Sequence, residues 1–114
     1  MKVLKFGGSS LADAERYLRV KEITMACHTE SGAAIVLSAP KGVTNALSLL
    51  CDEAASGKDY GELFAKLNMV LFGILDDLQS NLPNFESAAL AKFIQHTLNE
   101  LNQHLEGFAL LRCA

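Results

Sequence analysis

Apolar residues fall into two kinds of pattern along this chain, and the change between them divides it near residue 57. In the first part, Val3-Leu4-Lys5-Phe6 and Ala33-Ala34-Ile35-Val36-Leu37 are β-prone runs with almost no polar alternation. Such runs are expected of strands buried on both faces of a parallel sheet, whereas a strand with one wet face alternates. Between them, Leu11, Ala14, Leu18, Ile23 and Ala26 form a rough helical stripe, which predicts a helix from about Leu11 to His28, broken at Ser31-Gly32. Ser10 and Asp13 make an S-x-x-D capping pattern at its start, and Glu15 adds negative charge where the helix dipole favours it. After the second run, Ser38-Ala39-Pro40-Lys41-Gly42 reads as a loop. Val43, Leu47, Leu50, Cys51 and Ala54 then mark a helix closed by Ser56-Gly57. Strand, helix and strand with short connections predict a right-handed βαβ unit.

The second part keeps helical period throughout. Leu63, Phe64, Leu67, Val70, Leu71, Ile74, Leu75 and Leu78 form one stripe, ended by Asn81-Leu82-Pro83-Asn84. Leu90, Phe93, Ile94, Thr97, Leu98, Leu101, Leu105 and Phe108 form another, so the pair predicts a helical hairpin. The expected fold class is therefore α/β, with two parallel strands, about four helices and a helix-rich second half. Two central-type strands make a poor sheet, because their outer edges are bare backbone. The chain is accordingly expected to be a single incomplete domain over 1–114, with a βαβα part (1–57) and a helical hairpin (58–114). The missing strands would lie beyond the chain or come from another copy, and homo-oligomers through strand edges or the hairpin are expected.

Composition narrows the function classes. Half of the 114 residues are apolar and a fifth are charged, as in ordinary globular proteins. The formal net charge of −3 comes with no basic face, which argues against a nucleic-acid partner. No apolar run approaches the ~20 residues needed to span a bilayer, and the first residues do not read as a signal peptide, so the cytoplasm is the expected compartment. Cys27, Cys51 and Cys113 lack metal-binding or disulfide spacing and are expected to be reduced thiols packed as small hydrophobes. His96, Glu100 and His104 share a helix face at i, i+4 and i+8, but the two histidines lie about 12 Å apart along the axis. That is too far to chelate one ion together, and a solvated outer face is expected rather than a metal site.

Chemistry concentrates at the two strand ends. Lys5-Phe6-Gly7-Gly8-Ser9-Ser10 is a strand-to-helix turn. Glycines there let a phosphate reach backbone amides, the helix start adds unpaired N–H groups, and Lys5 brings a full positive charge. Neither the P-loop pattern nor the dinucleotide fingerprint is present. Asp13 and Glu15 would repel an anion over the helix end, so a phosphate is expected nearer Gly7, Gly8 and Lys5. A plain tight turn is the alternative. In an open α/β sheet, ligands bind beyond the carboxyl ends of the strands, and the Ser38-to-Thr44 loop should face the same crevice. Ser38, Thr44 and Asn45 offer hydroxyl and amide groups there, and Gly42 would permit close backbone approach. The alternative is that Thr44 or Asn45 merely caps the following helix.

Lys5-Phe6-Gly7-Gly8-Ser9-Ser10 resembles the aspartokinase signature, with Ser9 where threonine is usual. Leu37-Ser38-Ala39-Pro40-Lys41-Gly42-Val43-Thr44-Asn45 is similar to that family's second motif. The segment Ala12 to Val20 is most similar to its bifunctional aspartokinase–homoserine dehydrogenase branch, and Gly107 to Leu111 falls where the family has a similar segment after its helical pair. The resemblance implies the N-terminal portion of an amino-acid-kinase three-layer α/β/α sandwich. It also implies phosphorylation of the side-chain carboxylate of L-aspartate by ATP with Mg2+, in the biosynthesis of threonine, lysine and methionine. By the same resemblance, Lys5 steadies phosphoryl oxygens, Gly7, Gly8 and Ser9 cradle the nucleotide phosphates, and Ser38 and Thr44 contact aspartate. The family continues with an Arg-Gly-Glu motif and further nucleotide loops that these 114 residues do not contain. The chain by itself is therefore expected to be inactive.

Overall fold

The structure, a computed structural model, describes residues 2–27 and 32–113, with side chains as far as Leu111. The expected helix end at His28, the break at Ser31 and the Cys113 thiol lie outside what is described. Strands β1 (Lys2–Phe6) and β2 (Ala33–Leu37) pair in parallel, in register from Lys2↔Ala33 to Phe6↔Leu37. The Ser38 N–H donates to the Phe6 carbonyl at 3.1 Å and carries the ladder one step past the strands. Four helices follow the expected order: α1 (Ala14–Cys27), α2 (Val43–Ala55), α3 (Gly61–Asn81) and α4 (Ser87–Cys113). The chain forms two compact units, Met1–Thr44 and Asn45–Ala114.

In the first unit, α1 starts later than the apolar stripe predicts. Gly8–Leu11 is a short 3-10 turn, closed by the Ser10 N–H on the Gly7 carbonyl at 3.0 Å. Asp13, rather than Ser10, is the cap: its Oδ1 accepts the Arg16 N–H at 2.9 Å. A short acceptor one residue before the first helical residue reaches the third free amide, so Asp13 outcompetes a serine three residues upstream. Strand alternation sends Phe6 and Leu4 toward α1, where Phe6, Leu11 and Val20 form the core with Leu4 and Tyr17 against it.

The strands are not buried on both faces as their composition predicts. Val3 is 67% exposed, and Ile35, Val36 and Leu37 on β2 are all exposed. The cause is coverage: α1 packs on β1, and apolar composition alone supplies no second layer.

The second unit is helical. At the end of α2, the Gly57 N–H bonds the Ala54 carbonyl (3.1 Å) and the Lys58 N–H bonds the Glu53 carbonyl (2.9 Å), the paired bonds of a Schellman stop. The start of α3 is tied by Asp59, whose Oδ1 accepts the Gly61 N–H at 2.9 Å. α3 and α4 pack on each other, and the Ser87 hydroxyl at the start of α4 bonds the Gln79 side chain near the end of α3. Leu67 and Leu75 on α3, and Leu98 and Leu105 on α4, are buried at intervals of two helical turns. The predicted stripes are wider than this contact, for Phe93 is 67% exposed and Val70, Leu90 and Phe108 also face outward.

Candidate functional site

Two parallel strands end side by side, so the segments that follow them emerge on one edge of the sheet. Gly7, Gly8 and Ser9 leave β1, and Ser38 to Thr44 leaves β2. Gly8 shows how near they come. A Cβ built on it would lie 3.2 Å from the Ala39 carbonyl oxygen and 3.6 Å from the Lys41 Cα. The glycine is thus the residue that lets the first turn lie against the backbone of the second loop. Gly7 has open space where its Cβ would be.

Gly42 carries a different constraint from the close approach expected of it. No atom lies within 4 Å of its missing Cβ, but its φ is +84°, a left-handed conformation that L side chains rarely adopt. That turn leads into α2, whose first residue Val43 donates its N–H to the Pro40 carbonyl at 3.0 Å. Thr44 and Asn45 therefore lie inside the first helical turn and not at its cap. The capping alternative for them does not hold, and both side chains remain exposed.

Lys5 projects from β1 on the face opposite Phe6, away from α1, and is exposed. Ser9 and Ser38 are exposed as well. The edge therefore gathers two lysines, Lys5 and Lys41, a glycine turn and a hydroxyl-bearing loop. The amides of Gly8 and Ser9 precede the first closed turn and belong to the donors that a helix start leaves unpaired. The helix-dipole contribution expected from α1 is smaller than the sequence suggests. The 3-10 turn separates Gly7 and Gly8 from Ala14, and the Asp13 carboxylate already occupies the α1 start.

Arginines that sequence reasoning passed over also lie nearby. Arg16 and Arg19, one turn apart on α1, line a concave pocket with Ser9 and Ser10 over Phe6, Val20 and Ile23. The i, i+3 spacing of the arginines was the available signal, but a helix of mixed charge presents many such pairs. At the far end of the chain, His96 Nε2 lies 2.7 Å from Glu100 Oε1, and both side chains are exposed. Among the described residues, no group of three or more His, Cys, Asp or Glu side chains is arranged to hold a metal ion. No helix among them is long and apolar enough to cross a membrane.

Known proteins similar to the chain share one theme. The bifunctional aspartokinase/homoserine dehydrogenase of Buchnera aphidicola is 36% identical over 115 residues, which is 98% of this chain and 14% of that protein. The protein of the same name from Haemophilus influenzae is 36% identical over 86 residues, 75% of this chain and 11% of its own length. Among solved structures, E. coli aspartokinase III in complex with aspartate and ADP (R-state) superposes with a TM-score of 0.77 at 28% identity. The same enzyme with lysine and aspartate (T-state) gives 0.75. In both, 96% of this chain matches 23% of the enzyme's chain. No protein-family profile matches. The chain thus spans between a ninth and a quarter of the proteins it resembles, and its two strands and four helices match part of their α/β fold.

Proposed function

We propose, from the premise that this chain is an aspartokinase relative along nearly its whole length, that it supplies the glycine turn and substrate loop of an aspartate kinase. The reaction would move the terminal phosphoryl group of ATP, with Mg2+, onto the side-chain carboxylate of L-aspartate. Positioning and charge neutralisation dominate phosphoryl transfer, so residues of this kind need no covalent nucleophile. Lys5 would hold phosphoryl oxygens, the amides of Gly7, Gly8 and Ser9 would cradle them, and Ser38 and Thr44 would bind aspartate. The observation that carries the reading is the crowding at Gly8, whose Cβ position lies 3.2 Å from the Ala39 carbonyl oxygen, so that the two motif loops lie together at one sheet edge. Mg2+ would neutralise charge on the nucleotide phosphates.

The chain covers less than a quarter of the aspartokinase III chain, so these residues are one part of the catalytic apparatus. Alone, the 114-residue chain should form no aspartyl phosphate. Incubation with ATP, Mg2+ and L-aspartate, with hydroxylamine trapping of acyl phosphate, tests this directly. Any trapped product above a protein-free control overturns the prediction. Nucleotide titration of the chain should perturb the amides of Gly7 to Ser9, and Lys5→Ala should abolish the effect. Equal perturbation in Lys5→Ala would remove Lys5 from the site.

A second reading, a self-associating module without catalysis, is favoured by the uncovered apolar side chains of Val3, Ile35, Val36 and Leu37. It is compatible with the first, because an exposed edge strand is a template for pairing with another chain.

A further inference from the structure

The concave pocket beside the 3-10 turn has a composition that the nucleotide reading does not use. Its volume is about 290 Å3, and its lining divides cleanly by chemistry. Phe6, Val20 and Ile23 are its apolar lining residues, and Ser9, Ser10, Arg16 and Arg19 are its polar ones. Among the described residues, no carboxylate is part of the lining. The two guanidinium groups differ in availability. Arg16 Nη1 is 3.2 Å from Asp13 Oδ2, in a solvent-exposed pair that steadies the side chain and offsets part of its charge. Arg19 has no carboxylate within salt-bridge distance among the described residues.

We infer that this pocket binds a small organic oxyanion, a carboxylate or phosphomonoester carried on a compact apolar body. Arg19 supplies the principal charge, the Ser9 and Ser10 hydroxyls donate to the anion, and the body lies on Phe6, Val20 and Ile23. Guanidinium forks match the planar carboxylate and the phosphate oxygens, and charge-assisted bonds to them are stronger than neutral ones. A volume near 300 Å3 is at the lower end of small-molecule sites, which suits a single ring or short branched chain. The pocket is separate from the candidate phosphate cradle. Phe6 and Lys5 alternate along β1, so the pocket floor and the Lys5 ammonium lie on opposite faces of the sheet. Ser9 is the single residue the two share, and the inference stands whether or not the kinase reading does.

Titration of the 114-residue chain, followed by amide NMR, distinguishes the alternatives with three probes of one shape: benzoate, phenyl phosphate and uncharged benzyl alcohol. At least one anion should give saturable shifts at Ser9, Ser10, Arg19 and Ile23, and benzyl alcohol should give none. Benzoate alone assigns a carboxylate, phenyl phosphate alone a phosphomonoester, and both an unselective oxyanion site. Arg19→Gln should weaken the affinity by about tenfold, the scale of a charged hydrogen bond, and Arg16→Gln by less. Both arginines are exposed, so an unchanged amide spectrum elsewhere verifies the fold of each variant. Lys5→Ala should leave this binding unaltered, which separates it from nucleotide binding. The inference fails if neither anion saturates, if benzyl alcohol binds equally well, or if Arg19→Gln is without effect.

Discussion

At the level of single residues, Gly8 and Tyr17 each make a distinct prediction. At Gly8 the obstacle to a side chain is a backbone oxygen 3.2 Å from the Cβ position, which cannot rotate away as a flexible side chain would. Gly8→Val should push the two loops apart and lower stability by about 1–3 kcal/mol, the usual cost of overpacking. The denaturant midpoint measures this, and Gly7→Ala, with open space around it, is the control that should change little. Tyr17 packs against the first unit's core, and burial raises its phenol pKa above the ordinary 10.0. The folded state then holds that proton more tightly than the unfolded chain does. The stabilisation is complete below pH 10 and is lost as pH rises through the folded value. Urea midpoints should therefore fall above pH 10 more steeply in the wild-type chain than in Tyr17→Phe.

The elements differ in how much of them local sequence explains. The stop of α2 is legible in Ser56-Gly57, because the bonds that make it are all within six residues. The start of α1 is not, since Ser10 and Asp13 are both plausible caps and only the 3-10 turn decides between them. Asp13→Ala should cost about 1 kcal/mol in thermal or chemical unfolding, whereas Ser10→Ala should cost nearly nothing. An equal loss in both would restore the capping box. In the helical unit the apolar stripes specify which residues can be buried, but the contact between α3 and α4 selects among them. Leu105→Ala, at a fully buried position, should cost about 2–5 kcal/mol. Phe93→Ala, on the same predicted stripe but exposed, should stay within about 0.5 kcal/mol.

Across the whole molecule, the exposed apolar side chains of β2 favour association. Ile35, Val36 and Leu37 form a continuous exposed apolar strand at a sheet edge, which in water favours pairing with further strands. Light scattering after size exclusion should show oligomers whose population falls with dilution. Val36→Lys, which places a charge on that strand, should shift the population toward monomer. A strictly monomeric wild-type chain at high concentration would refute self-association.

The glycine turn with its lysine, the two parallel strands, the order of helices and the aspartokinase kinship were all legible in the amino-acid sequence. Each depends on contacts close along the chain or on motifs that carry their own signature. Tertiary structure alone decided that a side chain at Gly8 would crowd Ala39 and Lys41, that Asp13 rather than Ser10 caps α1, and that one face of β1 and the apolar end of β2 stand uncovered. It also brought Arg16 and Arg19 into one pocket with Ser9. These features depend on which surfaces meet across the fold, and hydrophobic periodicity specifies that a surface is apolar without specifying what lies against it.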